Sequence, residues 1–214
     1  MSNTVLVIGE SGTGKSTAIR TLDPESTFIF STLGKPLPFR GYKNKYSSEL
    51  KNFYVSDNYK VLLSYIKAID ERRPEITTLV IDDFIYLMSH EFMNRVMEKG
   101  YDKYNELASH AWGIFKTLMG CRDDLTIFVL THSDVDSQGK SKVKTIGKLL
   151  DDKICLEGMI STVLHSMIVD GEYKFLTQNN GTHLSKSPID MFSESLIDND
   201  LLAVKEQLES YYAD

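Results

Sequence analysis

Cysteine is scarce in this chain of 214 residues: Cys121 and Cys155 stand far apart, outside any CxxC or Cys/His spacing. That excludes a disulfide framework and a thiolate zinc site, and leaves two reduced thiols. Long apolar runs are missing as well. No stretch reaches the roughly 18–20 residues a membrane helix needs. The apolar start at residues 5–8 is too short for a signal peptide, so the expected location is the cytoplasm, with no membrane partner. Arginine ends at Arg122, which speaks against the arginine-rich lid of a small-molecule kinase. There is no internal repeat and no low-complexity tract.

What is present is ordinary globular composition, 42% hydrophobic and 25% charged, and a length that suits one domain over residues 1–214. The net charge of −6 argues against a general nucleic-acid coat. Two local patches run the other way. Six basic residues (Lys35, Arg40, Lys43, Lys45, Lys51, Lys60) face two acidic ones (Glu49, Asp57) in the first. The second, from Lys140 to Lys148, holds four lysines and no acid.

Apolar, β-branched runs at residues 4–8, 27–30, 77–81 and 125–130 predict buried strands. Between them lie helical patterns: residues 16–22, closed by Asp23 and Pro24; residues 59–70; the stripe Phe84, Leu87, Met88, Phe92 and Val96; and a helix that Asp102 would cap. Residues 133–145 read as a polar loop. Residues 162–169 and 173–177 flank Asp170 and Gly171 as a β-hairpin. A final helix carries Leu201, Val204, Leu208 and Tyr211. Strands alternating with helices predict an α/β fold: a mainly parallel sheet covered on both faces, with an antiparallel C-terminal hairpin.

The chemistry concentrates at Gly9, Glu10, Ser11, Gly12, Thr13, Gly14, Lys15 and Ser16, a GxxxxGK[ST] pattern placed after a strand and before a helix. Backbone N–H groups of such a turn point into one concavity and hold phosphate oxygens, with Thr17 opening the helix behind them. Lys15 would neutralise the β/γ phosphates of ATP, and Ser16 would ligate magnesium. Lys15 is expected to face solvent in the empty site. Asp82 ends the strand at residues 77–81, where open α/β sheets collect ligands, and would hold the same Mg2+. The separation of Lys15 from Asp82 leaves room for one additional strand, which residues 27–30 supply. That arrangement belongs to the recombinase and AAA+ branch of P-loop proteins more than to small-molecule kinases.

Four features admit two readings each. Asp83 either orients and deprotonates an attacking water or caps the helix ahead of Phe84. Thr131 and His132, at the tip of the fourth strand, sense the γ-phosphate or serve as structural hydrogen bonders. Lys142 and Lys144 share one side of an extended segment and reach a neighbouring subunit's phosphates, or belong to a solvated loop. In the first basic patch, Phe39, Tyr42, Tyr46, Phe53, Tyr54 and Tyr59 stack on single-stranded DNA, or form a small local core.

Together these features resemble the phage-encoded RecA-core ATPases that accompany recombination and single-strand-annealing genes. The resemblance rests on GESGTGKST, GKPLPF, VIDDFIYLMSHEFMNRVMEKGYDKY, LTHSD, KVKTIGKLLDDKI, YKFLTQNNG, KSPIDMF and IDNDLL. It implies a three-layer RecA-like core, ATP-Mg use, single-stranded DNA and phage recombination proteins as partners, and head-to-tail self-assembly. It also makes Lys142 and Lys144 look like the paired lysines that recombinases insert across a subunit interface. One departure stands out. Recombinases of this type carry a catalytic glutamate soon after their second strand, whereas residues 28–35 contain no acid. Either Asp83 takes that duty or hydrolysis is slow without a partner. The expectation is an ATPase acting on single-stranded DNA in phage recombination or replication. The rivals are a nucleotide or small-molecule kinase and a regulatory NTP-binding module.

Overall fold

Alternation of side chains along a strand sends successive residues to opposite faces, and the central strands use both faces for apolar burial. Val5 and Val7 pack on one side of the sheet, Leu6 and Ile8 on the other. The same division holds for Ile29 against Phe28 and Phe30, and for Val80 against Leu79 and Ile81. A strand buried on both faces must be covered twice, which is why the chain alternates strand and helix. The structure, a computed structural model, describes residues 3–147, 149–150 and 153–213. Lys148 of the second lysine patch lies outside them.

In chain order the elements are β1 (Asn3–Gly9), β2 (Thr27–Ser31), α1 (Tyr42–Lys45), β3 (Phe53–Val55), α2 (Tyr59–Arg72), β4 (Thr78–Asp82), α3 (Ile85–Asn94), α4 (Asp102–Met119), β5 (Thr126–Val135), β6 (Ser141–Val143), β7 (Thr162–Val169), β8 (Glu172–Leu176), β9 (Leu196–Asp198) and α5 (Leu201–Tyr211). The nine strands among the described residues form one sheet of order β3-β2-β4-β5-β1-β7-β8-β9, with β6 paired to β5. Pairings from β3 through β7 are parallel. Those of β6, β8 and β9 are antiparallel. One core cluster joins α2, α3 and α4 to one face of the sheet. The other joins α5 and the segment after β1 to the opposite face.

Several local expectations are revised. Residues 16–21 form a 3-10 helix, with Ala18 N bonded to both Gly14 O and Lys15 O. The expected loop at 133–145 is mostly a hairpin, because β5 runs on past the sheet to Val135 and pairs with β6. Strands β3 and β9, three residues each, went unforeseen since neither has room for a pattern. Asp102 is the first residue of α4 without a side-chain cap bond; Tyr101 occupies the cap position. The Asp170–Gly171 turn has positive φ at both residues, 53° and 83°, as a two-residue hairpin requires. No helix among the described residues is long and apolar enough to cross a membrane.

Candidate functional site

The C-terminal ends of β1, β4 and β5 converge on a cleft of about 280 Å³ lined by Gly12, Gly14, Lys15, Ser16, Asp82, Asp83 and His132, among others. β1 delivers the glycine-rich turn. At Gly9 an added Cβ would lie 2.5 Å from the Ser166 carbonyl oxygen, so the β7 backbone itself excludes any side chain. Gly14 has φ 97°, and a Cβ there would meet the Tyr173 ring at 2.7 Å. The turn is braced from within, where Thr13 Oγ1 donates to Glu10 O at 2.9 Å, and from outside, where Ser166 Oγ donates to Thr13 O at 2.7 Å and Asn199 Nδ2 donates to Gly14 O at 3.2 Å.

Lys15 does not face solvent, contrary to expectation. It is 7% exposed, and its ammonium donates to Gly9 O at 2.9 Å and Glu10 O at 2.6 Å. A buried ammonium satisfies its donors on the nearest acceptors, and the turn's own carbonyls are within reach. Burial lowers its pKa to about 8, against the pull of Asp83 and Asp82.

Ser16 Oγ donates to Asp82 Oδ1 at 2.8 Å, joining the turn to the end of β4. Asp82 is buried, and its pKa is raised to about 6, first by burial and then by the neighbouring Asp83. Hydroxyl and carboxylate oxygens held side by side form a hard donor pair that fits a magnesium ion; among the described residues no group of three or more His, Cys, Asp or Glu clusters to hold a metal.

Asp83 adopts left-handed backbone, φ 62°, unusual for a non-glycine residue. The reading of Asp83 as a helix cap fails, since Phe84 holds the cap position of α3 and no side-chain cap bond forms. Its carboxylate lies 2.9 Å from Lys35 Nζ and 3.5 Å from His132 Nε2. Burial alone would raise its pKa; the bonds from His132 and Lys35 outweigh that and lower it. Thr32 Oγ1 bonds the carbonyls of Asp82 and Asp83 at 3.1 and 2.7 Å, which ties the end of β2 to this pair.

Thr131 and His132 do not end their strand as expected, because β5 runs on to Val135 to pair with β6. His132 reaches the cleft, whereas Thr131 is fully buried in the sheet and its Oγ1 finds no hydrogen-bond partner. Glu10, Ser11 and Thr13 also border a second concavity on the β7 side of the turn, next to His165 and His183. Lys142 sits in β6 opposite Asp134, and Lys144 N donates to His132 O at 2.9 Å. Neither lysine lines the cleft of its own chain.

The aromatics of the first basic patch mostly build local core. Tyr46 is buried and donates to Leu22 O; Phe39, Tyr42 and Phe53 pack on the second core cluster; Tyr59 stacks on His110 at 3.7 Å. Tyr54, 37% exposed, packs against Tyr65 in a tilted pair with ring centroids 4.3 Å apart. No arginine among the described residues lines the cleft; Arg122 is spent on carbonyls of Ile69, Asp70 and Ile76.

Residue patterns alone missed Lys35, Thr32, Ser166, Tyr173 and Asn199 as parts of the site. Lys35 and Asn199 fall inside the runs GKPLPF and IDNDLL, and Tyr173 inside YKFLTQNNG. Nothing in those runs says which side chain returns to the turn. No protein-family model matches the chain, and a search of curated proteins finds no match.

Proposed function

We propose that this chain is a RecA-like P-loop ATPase that binds ATP with magnesium and acts on single-stranded DNA in phage recombination or replication. The observation that carries the nucleotide part is the Ser16–Asp82 bond at the mouth of the glycine turn. It joins a GxxxxGK[ST] turn to a strand-end carboxylate, the two halves of a phosphate and metal site. The sheet order supports the RecA-like assignment, because β5 is interposed between the turn strand β1 and the Asp82 strand β4. The strand expected for that place, residues 27–30, forms β2 but pairs on the far side of β4, so β5 takes the interposed position instead.

Within this reading each side chain has a task. Backbone N–H groups at residues 12–16 receive phosphate oxygens, and Lys15 exchanges its carbonyl partners for the β/γ phosphates. Ser16 and Asp82 would hold Mg2+, which when bound neutralises charge on the phosphates. Asp83 accepts a proton from, or orients, the attacking water, and His132 holds the Asp83 carboxylate in place. The cleft's lack of arginine fits hydrolysis better than transfer to a small acceptor.

The DNA part rests on the resemblance and on Lys43 and Lys45, which end the short helix α1. The deciding experiment is ATP turnover with and without single-stranded DNA, together with mass in solution with an ATP analogue. Turnover stimulated by DNA and an assembly formed with nucleotide are the expected results. A monomer that turns over ATP only with a small acceptor would replace this reading with a kinase.

A further inference from the structure

Two ammonium groups face one cleft. Lys15 is held by two carbonyl oxygens of its own turn, and Lys35, on the β2–α1 connection, by Asp83. The two lysines repel each other, and the Lys35 side chain remains 57% exposed although its ammonium is paired. Gly34, with φ 64°, gives the chain a tight bend just before Lys35, and Pro36 and Pro38 stiffen the stretch after it along the cleft wall. Besides Asp83, the Lys35 ammonium lies 5.4 Å from the centroid of the Tyr86 ring, a weak second interaction. The Lys35 side of the pair faces solvent, so the side chain can leave Asp83 without opening the core.

We propose that Lys35 is a ligand of the terminal phosphate in its own subunit, leaving Asp83 for the γ-phosphate when a nucleoside triphosphate enters the cleft. The chain has no acid at residues 28–35, and the β2 exit instead presents a cation to the side of the cleft formed by Asp82, Asp83 and His132. A terminal phosphate beside two carboxylates needs compensating positive charge. Lys15 supplies it from the turn side and Lys35 from the opposite wall. The exchange also bares the Asp83 oxygen that Lys35 covers, so the carboxylate becomes available to a water only when the third phosphate is present. ADP would leave the Lys35–Asp83 pair closed.

This rests on the nucleotide reading above, and the test keeps the two apart. Binding of ADP and of the non-hydrolysable analogue adenylyl imidodiphosphate is measured by calorimetry with magnesium, for wild type, Lys35→Ala and Lys35→Arg. Lys35→Ala should weaken the analogue about tenfold, the loss of one charge-assisted hydrogen bond, and leave ADP affinity unchanged; Lys35→Arg should recover most of the difference. Lys35 is half-exposed, so a folded variant is expected, and thermal melting verifies it. The same pair of measurements in Asp83→Asn separates direct contact from an effect exerted through Asp83. There the ion pair is already gone, and Lys35→Ala should still cost the analogue about tenfold. Wild type that binds neither nucleotide overturns the nucleotide reading itself. Wild type that binds both, with Lys35→Ala losing both equally, losing neither, or losing the analogue only when Asp83 is present, overturns the role of Lys35 alone.

Discussion

Lys15 illustrates how a side chain's resting partners shape what its removal does. Its ammonium is buried on the carbonyls of Gly9 and Glu10, so Lys15→Ala leaves two turn acceptors short of a donor as well as removing the phosphate ligand of the proposed function. We expect nucleotide binding to vanish while the fold survives, because the loss of a donor to the turn is offset by relief of the ammonium's burial, which lowers its pKa to about 8. Normal ATP turnover by folded Lys15→Ala protein would sink the nucleotide reading. The adjacent acids divide differently. Asp82→Asn should weaken magnesium-dependent binding. Asp83→Asn should spare ADP binding and slow hydrolysis, with no capping loss, because no cap bond exists. A second buried titrating group lies beyond the turn. His165, packed beside His183 and Ser141, has its pKa lowered to about 4, chiefly by burial. The unfolded chain therefore takes up this proton first as pH falls, and the stability the neutral ring confers is complete above the ordinary value of about 6.5 and lost on the way down to about 4. Wild type should thus lose more melting temperature between pH 7 and pH 5 than His165→Gln does. Equal losses would remove His165 from the pH response.

At the scale of elements, the helices are set by local rules and the site by strand ends. α2 starts at Asn58, whose side chain accepts from Lys60 N at 2.9 Å, and α5 at Asp200, which accepts from Ala203 N at 3.0 Å. Asn58→Ala is expected to cost about 1 kcal/mol, read in a denaturant midpoint, with ATP affinity unchanged. The α1 segment tests the DNA reading. Since Tyr46, Phe39 and Tyr42 serve the interior, stacking has few rings left there and the attraction should be mainly electrostatic. Lys43→Glu with Lys45→Glu should weaken single-strand binding and lower the log–log salt slope by about 0.7 for each phosphate no longer neutralised. An unchanged slope in a DNA-binding wild type would move the DNA path to another surface.

For the whole molecule, the β5–β6 hairpin is the feature with consequences beyond one subunit. It extends from the site end of the sheet, and neither Lys142 nor Lys144 lines its own cleft. If those lysines act on a neighbour's ATP, Lys142→Ala with Lys144→Ala should keep ATP affinity and lose turnover. Mixing that protein with Lys15→Ala should then restore activity, because one partner keeps the phosphate turn and the other the lysines. Mixed assemblies established by mass that stay inactive would return the lysines to a solvated hairpin.

Sequence alone determined the parts of this protein that depend on short-range pattern. Residues 4–8, 27–30 and 77–81 are apolar on both faces, so they had to be central strands. Residues 162–169 match β7 residue for residue, and Asp170 with Gly171 supplied the turn that joins it to β8. Gly9 to Ser16 and Asp82 were singled out by residue type and spacing alone, and the Ser16–Asp82 bond brings them together. Tertiary structure decided what arrives from far along the chain. Asn199 and Ser166 brace the turn across 185 and 153 positions, Lys35 closes on Asp83, and Thr131 turns into the sheet while His132 turns toward the cleft. A hydrogen bond between distant residues leaves no periodicity in either segment, and a strand of three residues leaves almost none. Sheet order, which sets those neighbours side by side, comes only from packing the whole chain.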